Sequence, residues 1–335
     1  MRVTIIGATG HIGTYLVPRL VRAGHEVVAV SRGERDPYQD DSAWTDVESV
    51  ELDRETAEER GEFGEAIAAT DPDAVVDLIC FEPESAEALV ASLRGEVQHL
   101  LHCGTVWVHG PSDVVPTIED APRTRRPLGE YGRKKAEIEA YLLDEARRND
   151  FPATVLHPGH IVGPGWEPVN PAGNFDADVF SRLARGEEVA LPNFGLETVH
   201  HVHADDVAQG FQRALENWSA AVGESFHVVS PRALTLRGYA EAVAGWFGRN
   251  ADLTYLPFDE WADRSEYSGE DVEMTEEHIR YSPNVSIEKA REKLGYEPRY
   301  TSLEATREAV EALIEAGEVA SSEAVGSTVT RETTE

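Results

Sequence analysis

Cysteines, lysines and long apolar runs are all scarce in this chain of 335 residues. Its two cysteines, Cys80 and Cys103, lie in apolar strand-like segments, which indicates buried free thiols and excludes a disulfide-stapled scaffold. No segment approaches the ~18 apolar residues of a membrane-spanning helix, and the amino terminus opens as a strand instead of a signal peptide. We therefore expect a globular protein of the cytoplasm that does not bind a membrane.

The scarcity of lysine accompanies an extreme charge balance. Four lysines stand beside twenty-six arginines, and 62 acidic residues give a formal net charge of −32. Basic patches that would attract phosphates are missing, so we expect no nucleic acid partner. Because the acids are spread along the chain, we favour salt adaptation, in which molar salt screens the repulsion between hydrated carboxylates. The alternative is an acidic surface that binds cations or basic partners.

Seven apolar segments of strand length alternate with helical patterns over the first 230 residues. Several of these segments are apolar on both faces, which is typical of a parallel sheet covered by helices on both sides. The sequence therefore predicts a doubly wound α/β fold. The predicted strands are Val3–Ile6, Glu26–Val30, Val47–Leu52, Ala74–Ile79, His99–Cys103, Ala153–His157 and Ser225–Val229.

Helical patterns fill most of the remaining chain, at 11–23, 56–69, 84–94, 130–149, 176–185, 205–216, 235–248, 286–294 and 302–315. Residues 159–173 look irregular and follow a strand end where doubly wound proteins bind ligands, which favours a substrate loop. Residues 259–282 also look irregular, and we expect either a mobile lid or a surface excursion. Residues 316–335 lack a periodic apolar face and are predicted to be a disordered tail.

A glycine-rich turn links the first strand to the first helix, with the sequence GATGHIG. Glycines at such a turn permit a tight bend, close approach of the backbone to phosphate, and close helix packing. The context favours a nucleotide site over a purely structural turn. The cofactor contacts predicted here are Gly7, Thr9, Gly10, His11, Ile12 and Gly13.

The end of the second strand carries Ser31 and Arg32, where an acidic residue would bind the ribose of NAD. A guanidinium there favours the 2′-phosphate of NADP. The alternative is that Arg32 stacks on the adenine ring and either NADP or NAD binds. Asp53, after the third strand, is a candidate for contact with the adenine amino group.

Tyr131 and Lys135 are four residues apart on a predicted helix, so both side chains share one face. An ammonium near a phenol favours the phenolate, so we expect Lys135 to lower the pKa of Tyr131. Thr105, near the end of the fifth strand, has a hydroxyl that can hold a substrate oxygen while Tyr131 moves the proton.

Several ordered motifs give the chain a family resemblance: GATGHIG, TVWVHG, YGRKK, LHPGHIVGPG and HVHADDVA. Over residues 1–315 it resembles an extended short-chain dehydrogenase/reductase of the NAD-dependent epimerase/dehydratase family, in a salt-adapted, haloarchaeal-like form. The resemblance implies a seven-stranded Rossmann domain at 1–165 plus 200–230 and a smaller carboxyl-terminal α/β substrate domain at 166–199 plus 231–315. It also implies a homodimer.

The same resemblance implies roles for individual residues. Thr105, Tyr131 and Lys135 would form the catalytic triad, and the bound nicotinamide would help Lys135 to lower the Tyr131 pKa. Further cofactor contacts would come from Phe81, Lys135, His157 and Pro158. Substrate contacts would come from Trp107, His160, Trp166 and Asn174.

The chain departs from the family where sugar-nucleotide enzymes hold the diphosphate. His160 and residues 197–199 occupy the places of the usual asparagine and arginine, although Arg182, Arg185 or Arg232 offers a charge from elsewhere. In these departures the chain resembles atypical members of the family, including the group with the chloroplast stem-loop-binding proteins. The histidines of residues 200–203 alternate along a strand and lack completing ligands, so no metal is expected.

These patterns lead to two hypotheses for function. The first is an NAD(P)-dependent oxidoreductase or epimerase that acts on a sugar, sugar-nucleotide or related hydroxyl or carbonyl substrate, with Tyr131 as general acid and base. The second is a catalytically silent family member that senses NAD(P) or binds RNA.

Salt adaptation predicts a stability that rises with salt. The midpoint of urea unfolding should increase between low and molar KCl, because screening reduces the repulsion among the carboxylates. An unfolding midpoint that is no higher in molar KCl would reject this interpretation.

Overall fold

The computed structural model describes residues 1–121, 126–264 and 267–320. The strands are β1 (Arg2–Ile6), β2 (Glu26–Ser31), β3 (Glu48–Glu51), β4 (Ala74–Asp77), β5 (His99–Cys103), β6 (Ala153–Pro158), β7 (His160–Val162), β8 (Glu188–Pro192), β9 (Thr198–Val199), β10 (His201–His203), β11 (Ser225–Val228), β12 (Leu234–Thr235) and β13 (Asp252–Leu256).

The helices are α1 (His11–Arg22), α2 (Arg54–Glu59), α3 (Phe63–Ala68), α4 (Pro83–Leu93), α5 (Glu130–Arg148), α6 (Asp178–Arg185), α7 (Ala204–Glu216), α8 (Trp218–Ala221), α9 (Leu236–Trp246), α10 (Phe258–Ala262), α11 (Gly269–Tyr281), α12 (Glu288–Leu294) and α13 (Ser302–Ala316). Two 3₁₀ helices cover Ser42–Asp46 and Val106–His109.

Seven strands form one sheet in the order β11-β6-β5-β4-β1-β2-β3, and every neighbouring pair is parallel. This sheet confirms the predicted doubly wound fold and all seven predicted strands, whose ends differ from the prediction by at most two residues. Three two-stranded sheets stand beside it: β10 with β7, β12 with β9, and β13 with β8.

Both faces of the large sheet are buried, which explains the continuous apolar runs in its strands. On β1, Ile5 enters a core with Leu16 of α1 and Phe211 of α7. The next residue, Ile6, enters the opposite core with Ile138 of α5. Successive strand residues point to opposite faces, so each must be apolar where both faces are covered.

A third core lies away from the large sheet, among α6, β8, α9 and α10. Its largest fully buried members are Phe180, Tyr239 and Trp261, each at most 1% exposed. The division into a Rossmann domain and a substrate domain at the predicted boundaries stays a proposal.

The chain differs from the sequence prediction in three internal segments. The helix predicted at 56–69 is broken into α2 and α3 at Gly61, whose φ of 69° is left-handed. Residues 259–282 contain α10 and α11, and α11 begins with a capping box between Ser268 and Asp271. Residues 159–173 include the short strand β7.

The predicted disordered tail was wrong for residues 316–320. Val319 is 2% exposed against the third core, and the Ala320 amide donates to Ser181 Oγ at 3.0 Å. The rest of the predicted tail, 321–335, lies outside the described residues. Among the helices of the described chain, none is both long and apolar enough to cross a membrane.

Candidate active site

A cleft of about 1010 Å³ opens at the carboxyl ends of β1, β2, β4, β5 and β6. Ligands of doubly wound proteins bind at this edge of the sheet. Fourteen of the predicted site residues line the cleft: Gly7, Thr9, Gly10, His11, Ile12, Ser31, Arg32, Asp53, Phe81, Thr105, Tyr131, Lys135, Pro158 and Trp166. Five lie outside its lining: Gly13, Trp107, His157, His160 and Asn174.

The glycine turn brings the amino end of α1 to the cleft. Gly7 has a φ of 84°, and a Cβ there would lie 2.8 Å from Ile79 Cγ2. A Cβ on Gly13 would lie 2.1 Å from the Ala8 carbonyl oxygen, so Gly13 serves close helix packing. The exposed amides and dipole of a helix amino terminus suit a phosphate, and the cleft therefore fits a dinucleotide.

An aromatic cluster closes around the glycine turn. His11 stacks on Trp166 with ring centroids 5.0 Å apart, and Tyr38 meets His11 edge-on at 5.5 Å. Trp166 thus packs against the glycine turn, and its contact with substrate stays a prediction. Burial and the neighbouring His203 lower the pKa of His11 to about 3.

The residues expected at the adenosine end meet at the tips of β2 and β3. Ser31 Oγ accepts from the Gly33 amide at 3.3 Å, and Arg32 pairs with Glu34 at 3.2 Å on the exposed rim. The Asp53 carboxylate caps α2 by accepting from the Thr56 amide at 2.8 Å, which lowers its pKa. Its contact with adenine stays a prediction.

Arg54 lines the same end of the cleft and was missed in the sequence. Its guanidinium pairs with Asp77 at 2.8 Å and with Glu58 at 2.7 Å, and it lies over the Phe63 ring. Its Nη2 atom is buried without a hydrogen-bond partner. An arginine on a short acidic helix usually indicates a solvated surface, so the sequence contained no signal for this position.

Lys135 is buried at the centre of the carboxyl edge, with 1% exposure. Its ammonium donates to the carbonyl oxygens of Cys80 and Cys103, both at 2.7 Å. It also lies 4.7 Å from the Phe81 ring centroid and 5.9 Å from that of Tyr131. Burial lowers the Lys135 pKa.

Thr105 and Tyr131 meet beside this lysine. Desolvation around the Tyr131 hydroxyl raises its pKa, while a hydrogen bond with the Thr105 side chain acts in the opposite direction. The expected lowering of the Tyr131 pKa is therefore wrong for the protein alone. In the structure, the Lys135 ammonium is directed to two carbonyl groups. Tyr131 is 43% exposed in the open cleft, but the protein around its hydroxyl still desolvates the phenol, and this effect on the pKa prevails.

The side of the site away from the cofactor cleft is aromatic. Trp107 stacks on Tyr281 at 4.5 Å and meets the Tyr131 ring edge-on at 6.1 Å. His160 lies 6.3 Å from Trp107 and 4.8 Å from His278, measured between ring centroids. Burial and the neighbouring histidines lower the His160 pKa, and both of its ring nitrogens are buried without a hydrogen-bond partner.

Two predicted contacts are placed elsewhere by the structure. Asn174 is fully buried and bonds to Thr275 at 3.1 Å and to Asn170, so its amide holds a loop against α11 instead of facing the cleft. His157 is 1% exposed and lies behind Thr105, whereas the neighbouring Pro158 does line the cleft. Successive residues of a covered strand point to opposite faces, which explains why only one of the pair reaches the cofactor side.

Possible metal ligands come together at one place among the described residues. Asp77, Cys80 and His102 have ligand atoms within 4.8 Å of one another. However, Arg54 already neutralises the Asp77 carboxylate, and burial raises the Cys80 pKa to about 12, which disfavours the thiolate that a metal needs. The predicted lack of a metal stays a prediction.

Comparison with known proteins agrees with this fold and cleft. Residues 3–228 match the NAD dependent epimerase/dehydratase family. A chloroplast stem-loop binding protein of 41 kDa (b) from Arabidopsis thaliana is 26% identical over 90% of this chain and 76% of its own. The 2'-dehydrokanamycin reductase of Streptomyces kanamyceticus is 28% identical over 78% of this chain and 71% of its own.

The solved structure of UDP-glucose 4-epimerase from Thermotoga maritima has a similar fold. Its TM-score is 0.68 at 23% identity, with 94% of this chain and 99% of that chain covered. The chain belongs to the NAD-dependent epimerase/dehydratase family. It is thus an enzyme of a family that uses NAD(P).

The low pKa of His11 predicts a pH effect on stability. Because the folded pKa of about 3 lies below the ordinary 6.5, only the unfolded chain gains a proton as the pH falls from 6.5. Lowering the pH to about 5 should cost up to about 2 kcal/mol at this position. His11→Phe keeps an aromatic ring against Trp166 and removes this cost.

Urea unfolding at about pH 5 and pH 7.5, at constant KCl, checks this expectation. The His11→Phe protein should lose less stability between the two pH values than the parent protein. Equal losses in the two proteins would contradict the assignment of a neutral buried imidazole.

Proposed function

We propose that the protein is an NADP-linked oxidoreductase or epimerase that transfers a hydride at a hydroxyl or carbonyl carbon of a sugar-like substrate. One observation carries the proposal: the cleft beside the glycine turn ends at Thr105, Tyr131 and Lys135. A phosphate-binding turn and a proton-transfer group thereby face the same space.

The glycine turn, Arg32 and Asp53 would hold the adenosine and phosphate parts of the cofactor, and Phe81 and Pro158 would flank its nicotinamide. When bound, the nicotinamide supplies or accepts the hydride. The Lys135 ammonium, held near the Tyr131 ring, would also bind the nicotinamide ribose.

Tyr131 would move the proton in this mechanism. Its raised pKa keeps the phenol protonated at neutral pH, which suits a general acid that donates to a carbonyl oxygen during reduction. Thr105 would hold the same oxygen through its hydroxyl. In the oxidative direction, the positive charges of Lys135 and the bound nicotinamide would assist formation of the phenolate.

A sugar ring can pack against Trp107, which is half-buried and is backed by the buried Tyr281, and the half-buried His160 beside it has two nitrogens without a hydrogen-bond partner. The relatives point the same way, because one is named for a kanamycin derivative and another for UDP-glucose. Two arginines considered for a diphosphate are engaged elsewhere. Arg182 donates to the Glu188 carbonyl oxygen, and Arg185 pairs with Glu187. We therefore favour a sugar without a diphosphate, and a homodimer as the assembly.

A second candidate is suggested by similarity to the stem-loop binding protein. In that case the cleft would sense NAD(P) while RNA binding would be the function. The net charge of −32 opposes this candidate, because nucleic acid repels a surface with this charge.

Replacing Tyr131 separates the two candidates. Tyr131→Phe should lower NADPH-dependent reduction of a responsive sugar carbonyl by about 100-fold or more, because the proton donor is lost, with NADPH affinity kept. Tyr141→Phe on the same helix is the matched control. Unchanged reduction in Tyr131→Phe would reject the assigned role. RNA binding that persists in a protein without turnover would favour the second candidate.

Arg32 tests the preference for NADP. Arg32→Ala should weaken NADPH binding about 10- to 100-fold by removing a charge-assisted contact to the 2′-phosphate, with little effect on NADH. Fluorescence titration of both cofactors measures this, and Arg22→Ala, outside the cleft, is the control. Equal losses for NADPH and NADH would assign Arg32 to adenine stacking.

A further inference from the structure

Helix α5 carries a third polar residue on the face of Tyr131 and Lys135. Glu139 follows Lys135 by four residues, so the three side chains line up along one side of the helix. Glu139 is 2% exposed. A buried carboxylate is costly unless it is paired, so its position requires a partner.

One partner is His157, whose Nε2 lies 3.3 Å from Glu139 Oε1. On the other side of the ring, His157 Nδ1 lies 2.8 Å from the Thr105 carbonyl oxygen. A carbonyl oxygen only accepts, so Nδ1 carries a hydrogen. The carboxylate and Nε2 would repel each other if both lacked a proton. A hydrogen between Nε2 and the Glu139 carboxylate would remove this repulsion and join the two groups.

The neighbouring histidines do not take up this hydrogen. His227 Nδ1 donates to the Ser286 carbonyl oxygen at 2.9 Å, so its Nε2 accepts from His109 Nε2 at 2.8 Å. Burial lowers the pKa values of His227 and His102, which keeps both rings neutral. Lys135 contributes a positive charge from one turn earlier on α5.

The Thr105 backbone is the point at which this pair meets the catalytic site. Thr105 begins the 3₁₀ helix Val106–His109, and its Oγ1 accepts from the Trp107 amide at 3.3 Å. Its carbonyl accepts from His157 and, at 3.4 Å, from the Val108 amide. A Cβ on Gly104 would lie 2.9 Å from Val155 Cγ1, so only glycine lets Thr105 approach β6 this closely.

We propose that Glu139 and His157 are positioning residues that fix the Thr105 carbonyl and thereby aim the Thr105 hydroxyl at Tyr131 and the substrate oxygen. The proposal rests on the proposed function, since it assigns Thr105 a reacting partner. Neither residue lines the cofactor cleft. Their loss should therefore lower kcat with little change in NADPH affinity.

Three substitutions test the proposal. His157→Phe removes the bond to the Thr105 carbonyl and should lower kcat at least about 10-fold, with the NADPH Kd within about twofold of the parent protein. Glu139→Leu should have the same pattern. Glu139→Gln can donate its amide hydrogen to a neutral His157 Nε2, so it should keep kcat within about threefold.

His99→Phe is the control for loss of a buried histidine, because His99 lies at the opposite end of β5, where it bonds to Thr154. Its kcat should equal that of the parent protein. Parental kcat in His157→Phe, or equal damage in Glu139→Gln and Glu139→Leu, would overturn the proposal.

A readout without turnover separates this proposal from the proposed function. Nitrogen-15 NMR of the histidines, assigned by difference with His157→Phe, should show hydrogens on both His157 nitrogens at neutral pH. In Glu139→Gln, only Nδ1 should carry one. A His157 ring without a hydrogen on Nδ1 would overturn the proposal even in an active enzyme. If the parent protein reduces no carbonyl compound, the proposed function is rejected. The NMR result would still decide whether Glu139 and His157 are paired.

Discussion

The buried ammonium of Lys135 is the interaction on which the arrangement of the site depends. It donates to the carbonyl oxygens of Cys103, the last residue of β5, and of Cys80, three residues after the end of the neighbouring strand β4. These bonds hold α5 against the edge of the sheet where the glycine turn also ends. An unpaired charge at this depth would be costly, so the two carbonyl groups keep Lys135 in place. Tyr131 is thereby fixed at the cleft, one helical turn away.

Burial makes the same region suitable for proton transfer. Desolvation raises the Tyr131 pKa and lowers that of Lys135, so each group is shifted toward its uncharged form. A phenol that keeps its proton can donate it to a developing alkoxide. Behind Thr105, the ring of His157 lies between the Thr105 carbonyl oxygen and the Glu139 carboxylate. The catalytic residues proposed at the cleft are thus backed by polar groups that are themselves buried.

Much of the fold followed from the sequence because its signals are local. Strand segments that are apolar on both faces predicted the large sheet, and the spacing of the glycines predicted the turn at Gly7. Because Tyr131 and Lys135 are four residues apart, the sequence predicted that they share a face of α5. Glu139 follows Lys135 by the same interval, so the sequence also contained a signal for Glu139 that our prediction did not use. Three features depend on tertiary packing: the desolvation that raises the Tyr131 pKa, the inward placement of His157 and Asn174, and the Arg54 ion pair. Sequence periodicity does not carry that information.

The central claim is that the cleft positions a nicotinamide beside Tyr131 and Lys135. A crystal structure of the protein with bound NADP⁺ tests it most directly. The account predicts the pyrophosphate at the amino end of α1, the 2′-phosphate at Arg32, and the nicotinamide ring within about 4 Å of the Tyr131 hydroxyl, as hydride transfer with proton transfer requires. A dinucleotide bound with its nicotinamide away from Tyr131, or bound outside the cleft, would contradict the account.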